Sequence, residues 1–134
     1  MKTIAIIERG KDGSFGIYTP NLHSTLSGNG STLEAAKKDF AEAYREALEV
    51  YAELGEQVPK ELQNLEFDYR YDIASFYEAH PYLNVSQVAK YIGINDTLMR
   101  QYRRGQYISE AQLERIQEGI HRIGRELVNV ELVR

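Results

Sequence analysis

The sequence predicts an α+β protein. An N-terminal βββαβ module (an antiparallel sheet with one long helix) occupies residues 1–72, and an all-α helix-turn-helix domain with a short C-terminal strand occupies residues 73–134. Three observations carry this prediction. Short Ile- and Phe-rich runs separated by glycine turns fill the first thirty residues. A long stretch with apolar residues at three- and four-residue steps follows. The charge also changes character along the chain: residues 1–72 hold eight Lys/Arg against thirteen Asp/Glu, and residues 73–134 hold eight against seven. In the second part every basic residue except Lys90 is arginine, whose planar fork of donors matches planar acceptors. Two modules with different partners are expected.

Lys2 to Glu8 reads as a buried strand, and Asp12-Gly13 as the hairpin signal after it. Phe15 to Tyr18 is the returning strand, ended by Pro20-Asn21. Thr25 to Gly28 is a weaker third strand, with Gly28-Asn29-Gly30 read as a turn. Ser31 and Glu34 have capping-box spacing, and Leu33, Ala36, Phe40, Tyr44, Ala47, Leu48 and Tyr51 draw one apolar stripe behind them. That helix is expected to stop at Leu54-Gly55, where glycine takes the left-handed conformation. Phe67, Tyr69 and Tyr71 alternate with Asp68, Arg70 and Asp72, which marks a half-buried fourth strand.

In the second part Ile73 to His80 reads as a leading helix ended by Pro81. From Val85 to Gly105 the spacing fits a helix-turn-helix pair. Ala89 supplies the small residue needed where two helices cross. Gly93, four residues on, supplies the positive φ of the turn. Val88, Ile92, Ile94, Met99 and Tyr102 fall on the side that must be buried, and Asn95 and Asp96 suit the cap of the second helix. An ordinary helical hairpin also accounts for Ala89 and Gly93; the arginines downstream favour a DNA-reading helix. Its exposed face would carry Asn95, Thr97, Arg100, Gln101, Arg103 and Arg104, with Ser86 and Gln87 of the preceding helix at phosphate. Arginine can take O6 and N7 of guanine and glutamine N7 and N6 of adenine. Asp96 is expected to cap, with a cytosine contact as the lesser reading. Ser109 and Gln112 open a last helix with Leu113, Ile116, Ile120, Ile123 and Leu127 on one stripe, serving as core or as a dimer seam. Leu127 to Val133 alternate like a strand that would pair with a symmetry mate or an edge of the first sheet. A homodimer or higher oligomer is expected.

Phe15-Gly16-Ile17-Tyr18-Thr19-Pro20-Asn21-Leu22 and Gly28-Asn29-Gly30-Ser31-Thr32-Leu33-Glu34-Ala35-Ala36 together resemble the signature of the HicB antitoxin family. The resemblance covers roughly the first half of the chain. It implies a truncated ribonuclease-H-like fold without catalysis and a small basic ribonuclease toxin, HicA-like, as partner. It also implies a toxin-facing surface at Tyr18, Pro20, Asn21, Leu22 and His23. The family's usual Pro-Gly-Cys after the leucine is His23-Ser24-Thr25 here. The four helices behind it resemble the phage-repressor-like DNA-binding domains that follow some members of that family, which makes double-stranded operator DNA the second partner. The alternative is a stand-alone transcriptional regulator whose first module only dimerises or senses a ligand.

Other chemistry has thinner support. There are no cysteines, which excludes disulfide scaffolds, thiolate zinc sites and cysteine nucleophiles. His23, His80 and His121 lack paired-ligand spacing. A two-metal nuclease would have to gather Glu8, Asp12, Asp68 and Asp72, yet Asp12 belongs to a turn and Asp68 and Asp72 share a face with Arg70. No cofactor, metal or enzymatic activity is expected. The longest apolar run, Ile4 to Ile7, is far short of the ~20 residues a spanning helix needs, so no membrane association and a cytoplasmic location are expected.

Overall fold

The computed structural model describes all 134 residues and has an α+β fold with a four-stranded mixed sheet and five α-helices. The chain divides into two compact units, Met1–Ala79 and His80–Arg134. No helix is long and apolar enough to cross a membrane.

In the first unit, strands β1 (Lys2–Arg9), β2 (Phe15–Tyr18), β3 (Ser27–Gly30) and β4 (Glu66–Tyr71) lie in the order β3-β2-β1-β4. The β1–β2 and β2–β3 pairs are antiparallel, whereas β4 runs parallel to β1 from Lys2↔Glu66 to Ile7↔Tyr71. The sheet is therefore mixed, a departure from the antiparallel sheet expected. A parallel neighbour needs a long crossover, and helix α1 (Leu33–Leu54) supplies it. The register puts Thr3, Ala5 and Ile7 beside Phe67, Tyr69 and Tyr71. Ala5 and Ile7 form one core with Phe15, Ile17 and Phe40, and Phe67, Tyr69 and Tyr71 pack against it half-buried. Phe40 packs edge-on against Phe67 with ring centroids 4.8 Å apart.

The third strand lies two residues later than Thr25–Gly28, and Gly28-Asn29-Gly30 is part of it and not a turn. The glycines are there because α1 crosses directly above. A Cβ on Gly28 would fall on the backbone of Phe40, and one on Gly30 would lie 2.5 Å from Ala36 N. Because the strand runs on through Gly30, the helix cap moves as well. Thr32, and not Ser31, is the N-cap, its Oγ1 accepting from Ala35 N at 3.0 Å. At the other end Gly55 takes the left-handed conformation at φ 67°.

Helix α2 (Ile73–Ala79) belongs to this first unit, so the division falls after Ala79 and not after Asp72. Asp72 holds it there. One carboxylate oxygen accepts from Ser75 N at 2.8 Å at the start of α2, and the other accepts from Arg9 N at 2.9 Å at the end of β1.

The second unit has three helices: α3 (Val85–Ile92), α4 (Asp96–Arg103) and α5 (Glu110–Val128). Val88, Ala89, Ile92, Ile94, Met99, Tyr102 and Ile116 are its buried side chains. The helix α5 crosses α3 where Gly119 faces Ile92, leaving no room for a Cβ. From α5, Arg115 and Arg122 reach the open end of α3. Arg115 donates to Gly93 O at 2.8 Å and Arg122 to Tyr91 O at 3.2 Å, with the Arg122 guanidinium over the Tyr91 ring. The expected C-terminal strand is absent. Leu127 and Val128 continue the helix, Asn129 caps it by donating to Arg125 O at 3.1 Å, and residues 130–134 join no sheet. Alternation over so short a run fits a helix end equally well, and a ladder needs a partner strand that this unit lacks.

Candidate functional site

Helices α3 and α4 are short and joined tightly, and each junction has a local cause. Asn84 caps α3 by accepting from Gln87 N at 3.0 Å. Gly93 ends α3 at φ 89°, a conformation that would strain any side chain, and Ile94 N folds back to Ala89 O at 2.9 Å. Asn95 then caps α4, its Oδ1 accepting from Thr97 N at 2.9 Å and Leu98 N at 3.3 Å. Met99 and Tyr102 anchor the inner side of α4. At about 100° per residue, Thr97, Arg100, Gln101 and Arg104 fall on the side away from that anchor. Thr97, Arg100 and Arg104 are exposed and Gln101 is half-buried. Arg103 is exposed on the flank.

Arg100 is held in place. Its Nη2 donates to Ser86 Oγ at 2.9 Å and lies 2.9 Å from Asp96 Oδ2. Ser86 stands in the first turn of α3, so this one guanidinium ties together the beginnings of both helices. Arg103 and Arg104 take part in no ion pair. Asn95 has its carbonyl oxygen committed to the cap, and Gln87 is exposed on the first turn of α3. Of the eight residues singled out in the sequence, Thr97, Arg100, Gln101 and Arg104 share one face. Ser86 and Asn95 hold the structure of that face together. The Ser86–Arg100 bond was missed in the sequence because fourteen residues separate the two. Arg115 and Arg122, two of the arginines that gave this half its basic character, are spent on the end of α3.

The first unit offers a different surface. Tyr18 lies on the sheet face opposite α1, where its hydroxyl donates to Glu8 Oε1 at 3.2 Å. Burial, with the Glu8 carboxylate beside it, raises that hydroxyl above the ordinary tyrosine value. Pro20, Asn21 and His23 are exposed in the loop between β2 and β3, and His23 N donates to Glu61 Oε2 at 3.2 Å. Leu22 is buried at 8% exposure and packs within the first core. Thr19 fixes the loop from beneath. Its Oγ1 accepts from Leu26 N at 2.9 Å, and its own amide donates to Leu26 O at 3.1 Å.

The carboxylates are dispersed into local roles. Asp12 accepts from Ser14 N at 3.0 Å and Ser14 Oγ at 2.7 Å, and these bonds hold its carboxyl below the ordinary range. Asp68 pairs with Arg70, Asp72 caps α2, and Glu8 meets Tyr18. No three His, Asp or Glu side chains gather where they would hold a metal ion. Comparison with protein-family models, with curated proteins and with solved structures finds no match.

Proposed function

We propose that the second unit is a helix-turn-helix module that reads duplex DNA with the outer face of α4, and that the first unit neutralises a small basic ribonuclease. In this reading the chain is an antitoxin that represses its own operon. One observation carries the DNA half. Thr97, Arg100 and half-buried Gln101 lie on the outer side of a short helix, with exposed Arg104 at its C-cap, and Met99 and Tyr102 anchor the inner side. Contacts to Ser86 and Asp96 direct the exposed Arg100 guanidinium along this face, and arginine can take the O6 and N7 edge of guanine. The toxin half rests on the Phe15–Leu22 and Gly28–Ala36 resemblance, together with the acidic balance of residues 1–72. Negative charge would speed capture of a basic partner and compete with its RNA.

The test has two arms. Purification of the chain expressed from its native operon should bring down a small basic protein, and loss of Pro20, Asn21 and His23 (each replaced by Ala) should weaken that capture. Footprinting on DNA from upstream of the gene should reveal a protected, approximately palindromic site. A footprint without the small protein would leave a stand-alone regulator, and the small protein without a footprint would leave an antitoxin that does not repress. Absence of both would remove the reading.

A further inference from the structure

The sheet of the first unit has two faces, and α1 packs on one of them. Ala5 and Ile7 lie at 0% exposure on that side, whereas Ile4 and Ile6, which alternate with them, are only half-buried on the other. The register sets Ile4 beside Asp68, and Ile6 between Arg70 of β4 and Tyr18 of β2. On this second face lies an open groove of about 330 Å³ lined by Ile4, Ile6, Pro20 and Arg70, with Glu8 and Asp72. Gly16 stands opposite Glu8 on β2, so no side chain closes over the carboxylate from that strand.

The lining selects the occupant. Apolar floor takes hydrocarbon, and a carboxylate takes a cation. Arg70 is already matched by Asp68 at 3.2 Å. Glu8 takes part in no ion pair, and the hydrogen bond it accepts comes from the uncharged Tyr18 hydroxyl. Asp72 accepts from the backbone amides of Arg9 and Ser75, and these neutral donors leave its charge in place. Lysine and arginine have the matching two-part form, an aliphatic stem that lies on apolar surface and a charged head. A neutral aliphatic side chain would crowd the carboxylates without pairing them, and an acidic one would be repelled.

We infer that this groove receives a lysine or arginine side chain from a partner protein, with its stem on Ile4 and Ile6 and its head at Glu8. The inference rests on the proposed reading of the first unit as the captor of a basic protein, and it extends the contact from the loop at Pro20 onto the open sheet.

The test uses the full chain. Proton–nitrogen correlation spectra are recorded while acetyl-Gly-Arg-Gly-amide, its lysine counterpart or its glutamine counterpart is added at matched ionic strength. The arginine and lysine peptides should shift the amide signals of Ile4, Ile6, Glu8 and Arg70 saturably, and the glutamine peptide should not. Glu8→Gln keeps an acceptor for Tyr18 and should weaken the basic peptides about fivefold. Ile6→Thr keeps a β-branched residue in the strand and should weaken them as well, because the stem loses its floor. No saturable shift, an equal response to the glutamine peptide, or shifts centred away from the groove would overturn the site. Capture of the small basic protein expressed from the native operon gives a second readout, which the double variant Glu8→Gln, Ile6→Thr should reduce. Capture by wild type that the double variant leaves undiminished overturns the groove as the docking point while the antitoxin reading stands. A wild type that captures nothing overturns the antitoxin reading, and the peptide titration then decides the groove by itself.

Discussion

Arg100 donates to Ser86 at 2.9 Å while lying 2.9 Å from Asp96, so one exposed guanidinium bridges the first turns of α3 and α4. Two consequences follow for DNA binding. Arg100→Ala should narrow the gap between preferred and scrambled duplexes by about 1–3 kcal/mol. Arg104→Ala, which removes a charge from the same face without a fixed partner, should weaken binding to all sequences alike and lower the salt slope by about one. Fluorescence anisotropy over a salt series separates the two. Equal behaviour of the variants would contradict the distinction.

Ser86→Ala tests the bridge itself. It leaves every charge in place and frees Arg100 on one side only. Non-specific affinity should stay the same while sequence preference falls, by less than in Arg100→Ala. A uniform loss of affinity would instead assign Ser86 to phosphate contact.

The crossing of α1 over β3 makes a sharp prediction about stability. Gly28→Ala drives a methyl into the backbone of Phe40, which has no flexible end to move aside, and should cost about 1–3 kcal/mol or more. Urea unfolding followed by circular dichroism would measure it. Gly55→Asn, at a left-handed position with nothing nearby, should cost far less.

The cap of α1 gives a paired control. Thr32→Ala should cost about 1 kcal/mol, and Ser31→Ala should stay within about 0.5 kcal/mol. The reverse ranking would show that the capping box expected from the sequence forms in solution.

Tyr69 and Tyr71 are raised above the ordinary tyrosine value of 10.0 by burial, with Tyr71 adding to the effect at Tyr69. In the unfolded chain these hydroxyls ionise first. Their contribution is therefore complete below pH 10 and is lost as pH rises through the higher folded values. Stability should fall on the alkaline side, and Tyr69→Phe should flatten that fall. An unaltered pH profile in Tyr69→Phe would remove Tyr69 from the account.

Much of this architecture was legible in the chain because its signals are local. The stripe from Leu33 to Tyr51 marked α1, the alternation of Phe67, Tyr69 and Tyr71 marked β4, and Ala89 with Gly93 marked the tight α3–α4 junction. What was not legible depends on partners distant in sequence. Gly28 and Gly30 look like turn residues until α1 is seen to lie on them. Asp72 looks like a solvated strand charge until Arg9 and Ser75 are seen to donate to it. Leu22 matched the family motif and proved to be core. Arg115 and Arg122 counted toward a basic surface, yet they close the end of α3. Leu127 to Val133 alternated like a strand, but no ladder was available to hold one.

The central claim is that the outer face of α4 meets a base-pair sequence, and the selectivity ratio tests it most directly. The affinity of the full chain for a duplex taken from upstream of its gene is compared with that for a scrambled duplex of the same composition, in wild type and in Arg100→Ala, Gln101→Ala. The account predicts a wild-type preference of at least about a thousandfold at physiological salt, collapsing in the double variant. A wild type that binds both duplexes equally, or a double variant that keeps the full preference, would contradict it.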